Sequence, residues 1–196
     1  MVEIVGLIRE GKRVEAVAKA DAMIAGFSAA QNTPGVSYFC NRDRGGIANM
    51  IAASRNGAKV DLAPEAWCEA LFAKGFALTD LKRFDEASSA LSQAVAMDPG
   101  NPHFRNQYGD VLRLRRDVQG AFVQYETAYE LAASDEGEVA APMAKRALRG
   151  MATVSETRGD FAAAQAFYQR LLDRDSADAD ARAKLAELAR RQAAAP

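Results

Sequence analysis

Small and large apolar residues recur through the middle of the chain at steps of three and four, and the block that begins at Cys68 repeats 34 residues later at Pro102. Gly75 matches Gly109, Ala87 matches Ala121, Leu91 matches Tyr125, Ala94 matches Ala128 and Met97 matches Leu131. The steps place Ala87, Leu91 and Ala94 on one face of a helix. Gly75 and Gly109 stand in the preceding helix, where a missing side chain lets the second helix approach closely. One such pair leaves an apolar face bare. The pattern therefore predicts helical hairpins that stack on one another around a continuous core.

A third copy is legible in Leu148, Ala152, Gly159-Asp160-Phe161, Ala164, Tyr168 and Leu171, starting near Lys145. The acidic run Ser134-Asp135-Glu136-Gly137-Glu138, with Pro142 as a helix breaker, delays it by nine residues. From Ala179 to Gln192, Leu185, Leu188 and Ala189 share one side among charged residues, as a solvating cap helix requires. Ahead of the repeats, Val2 to Arg9 and Gly11 to Ala25 read as a degenerate hairpin. Asn32-Thr33-Pro34-Gly35 is turn chemistry, Val36 to Cys40 is extended or a helix start, and Ile47, Met50 and Ile51 indicate a short helix ending near Asn56-Gly57.

Gly75-Phe76-Ala77, Phe84-Asp85-Glu86-Ala87, Ala94 and Asp98-Pro99-Gly100-Asn101 together resemble one complete tetratricopeptide repeat. The second copy keeps Tyr108-Gly109, Ala121, Tyr125 and Ala128 but has Ala132-Ala133 where the closing proline belongs. The resemblance implies an all-α, right-handed α-solenoid of about three hairpins, with a C-terminal cap helix and an N-terminal helical extension. It divides the chain into an extension over 1–63, an array over 64–192 and a disordered tail over 193–196. The repeats fall at about 68–101, 102–135 and 145–178, with the cap helix over 179–192. Tyr38-Phe39-Cys40-Asn41-Arg42 followed by three repeats is also similar to uncharacterised bacterial repeat proteins, a likeness that carries no function. The cap helix followed by Ala193-Ala194-Ala195-Pro196 is the expected natural end.

Charge and chemistry narrow the function. With 25 basic and 26 acidic residues the formal net charge is −1, so nothing favours nucleic acid or an anionic membrane as the partner. Charged residues make up 26% and apolar ones 49%, ordinary for a folded chain. The uncharged run from Met23 to Cys40 is interrupted by Ser, Gln, Asn, Pro and Gly, which excludes a membrane insertion there. The default compartment is cytoplasmic; a periplasmic chain whose leader has been removed reads the same. Cys40 and Cys68 lack metal-ligand spacing, and are either two half-buried thiols or one bridge pinning the N-terminal segment to the first repeat.

A single histidine, His103, has no partner set for nucleophilic or acid–base work, so no catalytic residue, metal site or cofactor is expected. Arg44-Gly45-Gly46 lacks the Gly-Lys-Ser/Thr ending of a phosphate loop. Arg113, Arg115 and Arg116 complement the dipole where a helix ends.

What remains is the groove. In the family the resemblance names, the second, fifth, ninth, twelfth and thirteenth positions of each first helix line it. Here these are Glu69, Phe72, Phe76, Thr79 and Asp80, then His103, Asn106, Asp110, Arg113 and Leu114, then Arg146, Arg149, Thr153, Glu156 and Thr157. Phe72 and Phe76 are the candidate apolar anchors. Asn106, Arg146 and Arg149 are the candidate polar contacts, the arginines for a partner's carboxylate, with His103, Asp110 and Arg113 between them. Where the chaperone-tail clamp of some members has lysine and asparagine, this chain has Phe72 and Phe76, which argues against that ligand. The expected function is a non-catalytic module that binds a peptide or protein surface. Two rival readings are a self-associating homo-oligomeric scaffold whose own N-terminal segment fills the groove, and the repeat portion of a larger enzyme.

Overall fold

In the computed structural model, which describes residues 1–31, 33–40, 44–133 and 139–193, the stacked hairpins form as the periodicity requires. Four hairpins follow one another. They are α1 (Val2–Arg9) with α2 (Arg13–Ala30), α4 (Glu65–Asp80) with α5 (Phe84–Met97), α6 (Pro102–Leu114) with α7 (Val118–Ala133), and α8 (Ala140–Thr157) with α9 (Phe161–Arg174). Between the first two hairpins lie β1 (Val36–Phe39), α3 (Arg44–Arg55) and β2 (Lys59–Leu62), and α10 (Ala179–Ala193) closes the series. The whole is an all-α solenoid with one small insertion.

The same turn closes every hairpin. Gly11, Lys82, Arg116 and Gly159 each stand two residues ahead of the second helix with φ of 79°, 60°, 65° and 75°. After each of them the next amide reaches back into the first helix: Lys12 N to Leu7 O, Arg83 N to Leu78 O, Asp117 N to Leu112 O and Asp160 N to Ser155 O. This satisfies carbonyls that a helix end otherwise leaves orphaned. Lys82 and Arg116 hold the left-handed conformation without the freedom of glycine, at about 1–2 kcal/mol each. Because Gly11 makes this turn too, the degenerate N-terminal hairpin is a unit of the same kind. Its α2 packs along α4 as α5 packs along α6.

Close approach inside the array rests on glycine facing a large side chain. A Cβ built on Gly75 would lie 2.4 Å from Leu91 Cγ, and one on Gly109 would lie 2.8 Å from Tyr125 Cε1. Gly150 of α8 meets the other side of the same ring, its Cβ falling 2.5 Å from Tyr125 Cδ1. Tyr125 is fully buried, and its ring anchors the C-terminal core with Leu112, Leu148, Met151, Tyr168 and Leu188.

The insertion is where sequence and structure part most. β1 and β2 pair in parallel, Val36 beside Lys59 and Phe39 beside Leu62, with α3 as the crossover. Apolar periodicity reveals α3, but β2 has only four residues and carries no turn-bounded run of its own. Cys40 and Cys68 are bonded, with Cα atoms 6.2 Å apart and 28 residues between them in sequence. Closing a loop of that size is worth about 3–4 kcal/mol in the chain-entropy account. Ala63 N donates to Phe39 O, Cys40 N donates to Met97 O, and Trp67 packs on Phe27 and Tyr38 at 5.9 and 5.8 Å. The insertion is thereby fastened to the start of α4 and the end of α5.

Pro142, expected in a helix-breaking loop, instead occupies the first turn of α8, where its missing N–H has no intrahelical acceptor to lose. The acidic run 134–138, Asn32, 41–43 and the tail 194–196 lie outside the described residues.

The glycine contacts give opposite predictions for one substitution at two places. Gly150→Ala should destabilise by about 1–3 kcal/mol, because the buried Tyr125 ring cannot move aside. Gly26→Ala, exposed in α2 with nothing within 4 Å, should stabilise by about 0.5–1 kcal/mol through helix propensity alone. Urea unfolding followed by circular dichroism measures both; equal effects would contradict the packing described.

Candidate functional site: the concave face

The sequence-predicted groove residues sit on the first helices of three hairpins, α4, α6 and α8. Capping decides where two of these helices begin or join. Asn101 accepts from the His103 and Phe104 amides and opens α6 ahead of Pro102. Lys145 pairs with Asp175 at 2.7 Å, tying the first turns of α8 to the end of α9.

On α4, Phe72 lies in the seam to α6, with its ring centroid 4.6 Å from His103 and 5.0 Å from Phe104. Most of its area is thus committed to holding two hairpins together. Phe76, one turn further on, is half-buried and presents its remaining surface to the face. Thr79 hydroxyl donates to Gly75 O at 2.7 Å, and Asp80 pairs with Arg13 of α2. That ion pair closes the N-terminal end of the face.

On α6, Asn106 is fully buried, and its amide nitrogen donates to Met143 O at 3.1 Å. It therefore fixes the start of α8 and does not reach a partner. His103 is half-buried against Phe72; burial first, and the charge of Arg146 second, hold its pKa below the ordinary imidazole value. The ring is neutral at pH 7.

Asp110 is the hub. It accepts the Tyr125 hydroxyl at 2.6 Å and the Arg146 guanidinium, while Arg146 also donates to Gln107 Oε1 at 2.7 Å. Burial, followed by the neighbouring Asp110 carboxylate, pushes the Tyr125 hydroxyl well above its usual pKa against the opposing pull of Arg113. The tyrosine stays a donor throughout the physiological range.

Of the two arginines chosen for a partner's carboxylate, both already hold an internal one. Arg146 has Asp110, and Arg149 has Asp178 at 2.5 Å, just ahead of α10. They differ in exposure, however. The Arg146–Asp110 pair is about one-third exposed on both sides, whereas the Arg149 side chain is 45% exposed over a 9% exposed Asp178. Arg149 thus keeps donors facing solvent after its carboxylate is satisfied. Thr153 and Thr157 turn their hydroxyls back onto α8 carbonyls, and Glu156 accepts the Tyr168 hydroxyl at 2.6 Å. Phe76, Arg113, Arg146 and Arg149 keep surface exposed on the first helices, whereas Asn106 and most of Phe72 are withdrawn into the seams. The Asp110 hub escapes sequence reasoning because its partners lie 15 and 36 residues away, on different helices.

No group of three His, Cys, Asp or Glu side chains gathers in metal-binding geometry among the described residues. No helix among them is long and apolar enough to cross a membrane. An apolar cleft lined by Ile47, Met50, Ile51, Val60 and Leu62 opens between α3 and β2, away from the groove residues.

A family model described as tetratricopeptide repeat matches residues 72–138. No curated protein sequence matches the chain. Among solved structures, the first such domain of Spaghetti (RPAP3), bound to an HSP90 peptide, is similar with a TM-score of 0.57 and 17% identity, over 65% of this chain and 94% of that one. The N-terminal domain of stress-induced protein-1 from C. elegans gives 0.56 and 21% over 62% and 93%. PilF of Pseudomonas aeruginosa gives 0.56 and 16% over 92% and 71%. At these identities the likeness is one of fold.

Proposed function

We propose that this chain, which is a tetratricopeptide-repeat protein, is a non-catalytic interaction module that binds a peptide or protein surface along its concave face. The observation that carries the reading is that the first helices offer a half-buried Phe76 and a partly solvent-facing Arg149, while Asp80, Asp110 and Arg146 are paired within the chain. An aromatic anchor and a guanidinium held in place by a second carboxylate lose little side-chain freedom on binding. A structural relative carrying a bound HSP90 peptide supports peptide binding as a use of this fold. The rival in which the N-terminal segment fills the groove draws less support, because α1 and α2 pack on α4 as a further hairpin.

A pull-down from the native organism's extract tests the reading. Phe76→Ala/Arg149→Gln should keep the melting temperature within a few degrees, since neither side chain is a core residue, and should lose the partner that the unmodified protein retains. Arg149→Gln is preferable to a charge reversal, which would set a new carboxylate against Asp178. Identical protein lists from both baits would sink the groove as the binding site.

We propose an oxidising compartment, such as a periplasm, in place of the cytoplasm. The Cys40–Cys68 bond supports it, because reducing cytosol keeps thiols apart. Alkylating native cells before lysis should leave both cysteines unlabelled until a reductant is added. Two labels without reductant would return the chain to a reducing compartment.

A further inference from the structure

The convex face carries an arrangement that neither the repeat pattern nor the groove uses. Three arginines of the fourth hairpin and its turn stand on aromatic rings of α7 and α9. Arg158 lies 5.0 Å from the centre of the Phe122 ring, and that ring lies 5.9 Å from Phe167. Arg170 is 5.8 Å from Phe167 and 4.6 Å from Tyr129, and Arg174 is 5.3 Å from Tyr129 on the same side chain. The contacts form one unbroken ladder in the order Arg158, Phe122, Phe167, Arg170, Tyr129, Arg174.

Two features bear on these arginines. First, Arg13, Arg83, Arg115, Arg146, Arg149 and Arg191 each hold a carboxylate within ion-pair distance, whereas among the described residues Arg158, Arg170 and Arg174 hold none, as is also true of Arg9, Arg55, Arg105, Arg113, Arg116, Arg182 and Arg190; only the three stand on rings. Second, each guanidinium carbon sits within 5.3 Å of a ring centre, and only some of its donors are used inside the chain. Arg158 uses one nitrogen on Val118 O and Gln119 Oε1, and Arg174 uses one on the Tyr129 hydroxyl. A guanidinium has five N–H donors, so edge donors remain on each. Stacking also holds these long side chains in place before any ligand arrives, which lowers the ordering cost of binding.

Guanidinium groups with donors to spare suit planar carboxylates, each through two parallel hydrogen bonds. Glu126 and Glu130 on α7 and Asp173 on α9 interrupt the positive charge along the same two helices. A continuous polyphosphate backbone would meet those carboxylates, whereas separate side chains on a flexible segment can step over them. We propose that the convex face of α7 and α9 is a second interaction surface, which docks an acidic segment of a partner protein on the Arg158–Arg170–Arg174 ladder. It is independent of the concave groove.

Fluorescence polarisation of a labelled hexaglutamate peptide against the full chain tests this, with a dodecathymidylate as the second probe. The unmodified protein should bind hexaglutamate more tightly as salt is lowered, and Arg158→Gln/Arg170→Gln/Arg174→Gln should weaken it by about tenfold or more. Replacing the same three by lysine should restore only part of the loss, because lysine keeps the charge and gives up the stacked fork. An equal removal of charge at Arg9, Lys59 and Lys82 should leave the affinity within about twofold. In the unmodified protein labelled with nitrogen-15, the Nε–H signals that move on titration should be those of Arg158, Arg170 and Arg174, a readout that needs no variant to fold. Absence of hexaglutamate binding, equal loss from the distant charge removal, or movement of other arginine signals would overturn the proposal. Tighter dodecathymidylate binding through the same three residues would overturn it in favour of a nucleic-acid surface.

Discussion

Tyr125 is the side chain around which the third and fourth hairpins are built. Its ring fills the gap between α6 and α8 because both helices present glycine there, Gly109 on one side and Gly150 on the other. Its hydroxyl, carried into a buried position, must find an acceptor, and Asp110 supplies one at 2.6 Å. That carboxylate then holds Arg146, which holds Gln107 in turn. A packing requirement in the core thus fixes a polar chain that surfaces on the concave side. The next hairpin repeats the logic with Tyr168 and Glu156, while the second substitutes Leu91, packs it on Gly75 and needs no acceptor.

This coupling of core to surface decides what the concave face can offer. Charges that orient neighbouring helices are already paired, so Arg146 contributes shape and a fixed field more than a vacant donor. Arg149, with its partner carboxylate behind it, and Phe76, with only part of its ring covered, are left to face a ligand. The convex side follows a different rule. There, arginines rest on rings in place of carboxylates, and their charge remains uncompensated among the described residues. One array can in this way present two chemically distinct faces, which suits a module that holds partners together.

Legibility tracked the range of the interactions. The 34-residue period, the glycine–aromatic matches and the cap helix depend on spacings within one or two helices, so Gly75, Gly109, Leu91 and Tyr125 were readable from the chain. The kinship of the N-terminal hairpin was half-visible in its apolar steps and became plain through the Gly11 turn, which needs a backbone angle to recognise. The β1–α3–β2 insertion was hidden because parallel pairing joins segments 23 residues apart, such as Val36 and Lys59, with no local signal. For the site, position within a repeat correctly places residues on the first helices but cannot say which of them a neighbouring helix has claimed. Asn106 was taken by Met143 O, and Phe72 by His103 and Phe104. Arg170 and Tyr129 sit 41 residues apart, and only the stacking of two hairpins makes them a pair.

Site-directed photo-crosslinking in the native cell addresses the concave face most directly. A benzophenone side chain at position 76 should capture a partner protein, and the same group at Ser89, exposed on α5, should not. Equal capture at both positions, or capture at position 89 alone, would contradict a concave binding face, and an adduct between two copies of this chain at position 76 would identify it as a self-association surface.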